Sequence, residues 1–399
     1  MKKRATKLIL GVVAMLLLAG AGIFFFILPG QVMVAKNFLT HAPGTSISPA
    51  AVALHAGLVV VDLHTDTLLW DRDVSVRDTR GHVDIPRLIE GNIALQGFSA
   101  TTKVPVGINI ESNPSNSDML PALMVAQRWP VGTWTSPFQR ALYQAELLAS
   151  AERKSDGRFT LIRTREDLAQ YLQRRKSNPD CTAGFLLIEG LHCLEGKIEN
   201  LQKLFDAGYR VMAPTHFFDT ELGGSAHGLN KMGITEFGKA VLEEMDRLHI
   251  TLDLAHASPQ LVEDSLALST HPVVVSHTGV QGTCNNRRNL SDAQLQAIAA
   301  KGGVVGIGFW DTATCGTDVA SIVRSLQYAA GVAGVDHVAL GSDWDGSTAT
   351  PIDASGMGQI TQGLLDAGMK EEDIAKIMGQ NTLRVLLENL PTATQGAGI

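Results

Sequence analysis

Leu58-Val59-Val60-Val61-Asp62-Leu63-His64-Thr65-Asp66 is an apolar run, broken only by Asp62, that ends in two side chains able to hold a metal. Continuous Val/Ile/Leu runs read as parallel strands buried on both faces. On an extended segment His64 and Asp66, two residues apart, point the same way. The pattern recurs along the chain. Gly184-Phe-Leu-Leu-Ile leads to Glu189, Ile250-Thr-Leu-Asp-Leu-Ala to His256, and Pro272-Val-Val-Val-Ser to His277. Working outward from these runs, strands are expected at 58–63, 95–106, 183–189, 209–215, 250–255, 272–276, 303–309 and 337–342. The strand at 95–106 is the least sharply bounded. Helical stretches separate most of them; Phe237, Val241, Met245 and Leu248, for example, recur at helical spacing. Eight strands alternating with helices predict an α/β fold, a (β/α)8 TIM-type barrel, whose functional side chains gather at the C-terminal strand ends.

The chain of 399 residues is 45% hydrophobic and 18% charged, enough apolar content for a substantial core. A net charge of −7 gives no electrostatic case for binding nucleic acid. Cys181, Cys193, Cys284 and Cys315 show no Cys-x-x-Cys spacing, which argues against a thiolate zinc site. Outside the cytoplasm they would permit one or two disulfides.

The N-terminus speaks for such a location. Lys2, Lys3, Arg4 and Lys7 precede a mostly apolar stretch from Leu8 to Ala35, and the next charge is Lys36. That stretch exceeds a signal-peptide core of roughly 7–15 residues and reaches the ~20 needed to span a bilayer. The expected organisation is a basic tip and transmembrane signal anchor over 1–36, a linker over 37–56, a catalytic barrel over 57–390 and a flexible tail over 391–399. The basic tip would stay in the cytoplasm and the barrel would face outward. Residues 111–150 interrupt the strand–helix rhythm, with a helix expected at 136–153, and read as an excursion over the barrel mouth.

His64, Asp66, Glu189, His256 and His277 offer nitrogen and oxygen donors of the kind zinc accepts. Any one of them alone is weak evidence: a histidine can sit in a core bonded to a carbonyl, and a carboxylate can pair with a cation. Their joint placement at strand ends favours metal. Five ligands exceed what one tetrahedral catalytic zinc needs, but with one carboxylate shared they can serve two ions roughly 3.5–4 Å apart. His216 and Asp343 end two further runs and are free for oxyanion stabilisation and proton transfer. Arg287-Arg288, just past His277, offers guanidinium donors suited to a substrate carboxylate.

As a set, Asp62-Leu-His-Thr-Asp66, Ile188-Glu-Gly-Leu-His192, Pro214-Thr-His216, Leu252-Asp-Leu-Ala-His256, Val275-Ser-His-Thr278, Arg287-Arg-Asn289 and Gly341-Ser-Asp-Trp-Asp-Gly346 are highly specific. The chain resembles the membrane dipeptidase (renal dipeptidase) family of zinc peptidases and its bacterial members, from about Val59 to Leu387. The resemblance implies an amidohydrolase-like barrel with two zinc ions per chain. His64 and Asp66 would hold one ion, His256 and His277 the other, and Glu189 would bridge them. His216 would bind substrate and stabilise the oxyanion, Arg288 would hold the terminal carboxylate, and Asp343 would handle the proton. It further implies a disulfide from Cys284, with Cys315 as partner. The activity implied is hydrolysis of dipeptides by a metal-bridging hydroxide. Two other readings stand beside it: an amidohydrolase acting on N-acyl amino acids, lactams or cyclic amides, and an inactive envelope-anchored binding protein. The side-chain preference, the acceptance of D-residues or β-lactams, cleavage of the N-terminal segment, the native metal and homodimer formation stay open.

Overall fold

The structure, a computed structural model, describes residues 2–40 and 46–396. Its centre is a curled parallel sheet of β1 (Val60–Thr65), β2 (Ile93–Thr101), β3 (Thr182–Glu189), β4 (Tyr209–Ala213), β5 (Thr251–Leu252), β6 (Val274–Thr278), β7 (Val304–Ile307) and β8 (Val338–Leu340). The hydrogen-bonded order β5-β4-β3-β2-β1-β8-β7-β6 is the chain order carried round a ring. Between β5 and β6 there is no ladder. A single parallel bridge from Asp253 to Val274 crosses that seam, with the Leu254 N–H donating to the Val274 carbonyl at 2.9 Å. The architecture is therefore TIM-like with one weakly joined seam. All eight expected strands are present.

Alternate strand residues fall into two separate apolar clusters. Val60, Phe98, Leu186, Ile188 and Met212 belong to one, and Val61, Leu63, Leu95, Phe185 and Leu187 to the other. Burial on both sides explains why the strands read as continuous apolar runs and not as alternating ones. The two acids that break the runs act as fasteners. Asp62 accepts from the Ser342 N–H and hydroxyl, both at 2.8 Å, and from Gln96 Nε2 at 2.6 Å, tying β1 to β2 and to the end of β8. Asp253 Oδ1 accepts from the Ser276 and Ala255 N–H groups, each at 2.9 Å, and so spans the open seam.

Several boundaries differ from expectation. β2 is the longest strand, nine residues and wholly buried, but it ends at Thr101 rather than at 106. A three-residue strand, Phe159–Leu161, pairs with β3 and was too short to stand out in sequence. The stretch expected to be a linker, 37–56, carries ordered structure on both sides of 41–45, which lie outside the described residues. Phe38–Leu39 pairs in parallel with Ala349–Thr350, and Pro49–Gly57 is a helix. Ser48-Pro49 reads as linker composition, yet Ser is equally a helix cap and Pro a first-turn residue; the Ser48 hydroxyl accepts from the Ala51 N–H. In the tail, Ala393–Gly396 forms a short helix whose Ala393 N–H donates to Glu166 at 2.7 Å, while 397–399 lie outside the described residues. The excursion contains the expected helix as Pro137–Lys154 and an unforeseen one at Leu120–Ala126.

The N-terminal segment is a helical rod, Lys2–Gly22 and Leu28–Lys36 with a π-helical stretch Ile23–Ile27 between them. Over Lys3–Lys36 it is long and apolar enough to cross a membrane, with a mean hydropathy of 2.7 in a window that is entirely unburied. Its far end docks on the domain. Met33 packs with Leu69, Trp70, Leu120, Met124 and Trp129, and the Arg128 guanidinium lies 4.7 Å from the Phe26 ring centroid.

If Asp253 holds the seam, Asp253→Ala leaves two buried N–H groups unpaired and should cost about 2–4 kcal/mol. Asp253→Asn keeps one acceptor and should cost distinctly less. Urea unfolding of the two variants measures this; equal losses would mean that the carboxylate does not bridge the seam.

Candidate metal centre

The strand ends deliver their side chains to one point. β1 carries His64 near its end, β3 ends on Glu189 and β6 carries His277, while Asp66, His216, His256 and Asp343 lie just past β1, β4, β5 and β8. Glu189 is the hub. Its Oε1 lies 3.4 Å from His64 Nε2, 3.1 Å from His277 Nε2 and 3.4 Å from His256 Nε2. Its Oε2 lies 3.2 Å from His216 Nε2. His64 Nε2 is also 3.8 Å from Asp66 Oδ2 and 4.0 Å from Asp343 Oδ1. All seven side chains are buried.

The backbone is bent to achieve this. His256 and Asp343 adopt left-handed φ values of 62° and 59°, which cost non-glycine residues about 1–3 kcal/mol each. Gly190, at φ 83°, turns the chain directly after Glu189. A Cβ there would meet His192 Nδ1 at 2.6 Å, so only glycine fits.

A cation fits this donor set. His64 Nε2 is buried without a hydrogen-bond partner, and His256 Nε2 and His277 Nε2 face each other at 2.9 Å. Three imidazole Nε2 atoms thus converge on one carboxylate oxygen. Nitrogen and oxygen donors without thiolate suit zinc and similar divalent ions. Within coordinating reach of one another are His64, Glu189 and His277, then Glu189, His216 and His256, then His64, Asp66 and Asp343. Distance alone therefore does not set His216 and Asp343 apart from the ligands, as the sequence reading had done.

Without a cation, protons hold the charges together. Burial opposes the charge on His64, but Glu189, Asp66 and Asp343 outweigh it and push its pKa up to about 10. Burial and then the Asp66 carboxylate lift Glu189 well above the carboxylate range, and burial pushes Asp343 up to about 8. Burial, reinforced by Arg288, keeps His256 and His277 well below the ordinary histidine value, and burial takes His216 down to about 3.

Two residues that sequence reasoning missed orient the ligands. The Ser276 hydroxyl is 3.2 Å from His64 Nδ1 and 2.9 Å from His277 Nδ1. By accepting from both Nδ1–H groups in the metal-bound protein, it would leave both Nε2 atoms as lone-pair donors. The Thr101 hydroxyl donates to Asp66 Oδ1 at 2.7 Å and lies 3.3 Å from Glu189 Oε2. Their only signal in sequence was position, one beside a ligand and one at a strand end.

The arginine pair divides. Arg288 is buried; one Nη donates to the His277 carbonyl at 2.7 Å, and the guanidinium lies 5.6 Å from the Trp310 ring centroid. Arg287 turns outward to Glu111 at 2.7 Å. Asn286 Oδ1 accepts from the Arg288 N–H at 2.9 Å, close to the Cys284–Cys315 disulfide, which the structure contains. Cys181 and Cys193 are free and buried. A cavity of about 540 Å³ opens over Asp66, Glu189, His216, His256, His277 and Arg288, bounded by Phe217 and Trp310 and by Val104, Ile108 and Ile110 from the loop that follows β2.

Ser276→Ala should lower zinc affinity about 10–100-fold in a chelator competition; unchanged affinity would remove Ser276 from the ligand scaffold. Because His64, whose pKa is pushed up to about 10, holds a proton near pH 7 in the metal-free protein, ligation must expel it. Zinc affinity should therefore rise steadily from pH 5.5 to 8, with net proton release in calorimetry across buffers of different ionisation enthalpy. A flat profile would contradict the arrangement.

Residues 49–396 match the model of the membrane dipeptidase family, peptidase family M19. Among solved structures the chain is similar to a metallopeptidase of that family named dipeptidase AC, with TM-score 0.69 and 25% identity over 84% of this chain and 99% of that one. It is equally similar to a metallopeptidase from Rhodobacter sphaeroides liganded with a phosphinate mimic of the dipeptide L-Ala-D-Ala, with TM-score 0.69 and 25% identity over 83% and 99% of the two chains. The probable dipeptidase PvdM from Pseudomonas aeruginosa shares the fold, with TM-score 0.70 at 18% identity over 86% and 98%. With the family match running over most of its length and side chains able to hold a metal gathered at its strand ends, the chain belongs to the membrane dipeptidase family and is a metallodipeptidase.

Proposed function

We propose that the protein hydrolyses dipeptides outside the cytoplasm in a site that takes two zinc ions, one held by His64 and Asp66, the other by His256 and His277, with Glu189 shared. The observation that carries this reading is the Glu189 carboxylate, with one oxygen 3.1–3.4 Å from three imidazole Nε2 atoms, beside a buried arginine in an open cavity. Bound there, the two ions supply a water of lowered pKa and Lewis acidity toward a carbonyl.

The chain's own residues do the rest. Arg288 pairs with the terminal carboxylate of the substrate, and its desolvation strengthens that pairing. Its fixed place limits the distance between a free carboxylate and the reacting carbonyl, and so favours short peptides. His216, held neutral, donates its Nε2–H to the carbonyl oxygen as negative charge develops. Asp343, at the edge of the ion site, carries a proton at its carboxylate to the departing amine. The N-terminal helix would anchor the domain, with Lys2, Lys3, Arg4 and Lys7 on the cytoplasmic side, and the Cys284–Cys315 disulfide suits an oxidising compartment.

The deciding experiment follows amino-acid release from unblocked dipeptides, L-D pairs included, and from N-acetylated amino acids, with and without chelator. Chelator-sensitive cleavage of the dipeptides alone is expected. Turnover of the acetylated compounds alone would favour the acyl-amide reading. Arg288→Ala should lower kcat/KM on dipeptides about 100-fold or more; unchanged activity would refute its role. His216→Asn should lower kcat with two zinc ions still bound, whereas loss of one ion on elemental analysis would make His216 a ligand instead.

A further inference from the structure

We propose that the foot of the N-terminal apolar helix is a wall of the substrate cavity, and that Lys36 on this wall selects dipeptides bearing an acidic side chain. The inference rests on the dipeptide hydrolysis proposed above. Ala35, Lys36 and Phe38 line the same cavity as Glu189, His256 and Arg288. All three precede residue 49, where the match to the family begins. This wall therefore lies outside the part of the chain that the family model covers.

The wall is firmly held. Met33, one turn before it, is 1% exposed within the apolar cluster around Trp70 and Met124. Asn37 is 3% exposed and ties the helix end to the loop that carries Asp343. Its Oδ1 accepts from the Ser347 N–H at 2.8 Å, and its Nδ2 donates to the Met33 carbonyl at 3.3 Å. The Phe38–Leu39 strand continues this attachment, and the Thr40 N–H and hydroxyl donate to the Thr350 and Thr317 carbonyls, each at 2.8 Å. A tether that merely joined an anchor to a domain would need none of these contacts.

Charge makes the wall selective. Apart from the carboxylates and imidazoles of the metal centre, the ionisable groups lining the cavity are Arg288, Asp311 and Lys36. Arg288 is assigned to the terminal carboxylate. Asp311 Oδ1 accepts from the Thr312 N–H at 2.7 Å. The Lys36 ammonium has no hydrogen bond or ion pair among the described residues. Lys36 is exposed, and an unpaired ammonium at a concave wall favours an anion there. In a dipeptide whose terminal carboxylate is already bound, that anion is the side chain of Asp or Glu. The plainer alternative is that Lys36 only complements the negative end of its own helix. That role would move stability and leave selectivity alone.

The test uses the full-length, zinc-loaded protein in nanodiscs and compares Ala-Ala with dipeptides carrying Glu or Lys at either position. Lys36→Met should lower the Glu-to-Ala ratio of kcat/KM about tenfold, the equivalent of ~1.4 kcal/mol, mainly through KM. Lys36→Glu should turn the preference toward Lys-containing dipeptides. In Lys36→Cys, labelling with aminoethyl methanethiosulfonate should restore the Glu preference, and a phosphinate dipeptide mimic should slow that labelling. Ratios unchanged in both charge variants, with dipeptides still cleaved, would overturn the selective wall alone. Failure of the unaltered protein to cleave any dipeptide would sink the dipeptidase reading and this inference with it.

Discussion

Burying a carboxylate among four imidazoles is the constraint on which this structure turns. Glu189 sits at 2% exposure with histidine nitrogens around both of its oxygens, and Asp66 and Asp343 stand nearby. Three carboxylates and four imidazoles, removed from water together, are tolerable only if protons or cations balance them. In the metal-free protein His64 stays protonated far above its ordinary range, while His256 and His277 stay neutral far below it. These opposed shifts fall on side chains close enough together to hold a metal ion.

The barrel converts that constraint into geometry. Neighbouring strands run in parallel, so their C-terminal ends meet at one rim. The ring is weakest between β5 and β6, and those two strands lead to His256 and His277. Asp253 spans that seam by accepting from the Ala255 N–H on its own side and the Ser276 N–H on the other, and Ser276 joins the imidazoles of His64 and His277 across the ring. The fasteners of the fold and the supports of the ligands thus lie within a few residues of one another. Strained backbone at His256 and Asp343 belongs to the same economy, since packing around them must hold conformations that isolated chains avoid.

The barrel was legible because buried parallel strands leave an unmistakable trace, a short run of branched apolar residues closed by a polar one. Val59-Val60-Val61 and Val273-Val274-Val275 carry that trace in full. Phe159–Leu161 is too short to leave it. Ser48-Pro49 is ambiguous, since the same pair opens a helix or marks a linker. Asp62 and Asp253 looked like interruptions because an acid inside a strand shows its purpose only when its hydrogen-bond donors are known, and each has a donor from a distant part of the chain.

By itself, the sequence determined the eight-strand alternation, the ligand types at the strand ends, the membership of Arg288 in a basic pair and the long apolar N-terminus. These are properties of local runs, and a one-dimensional pattern carries them. Only the tertiary structure decided which arginine turns inward, that Ser276 and Thr101 orient the ligands, and that His216 and Asp343 stand within the same reach as the ligands. It also decided that Ala35, Lys36 and Phe38, at the foot of the apolar helix, line one side of the cavity. Each of these joins groups far apart in the chain, and such contacts exist only once the ring has brought its strand ends together.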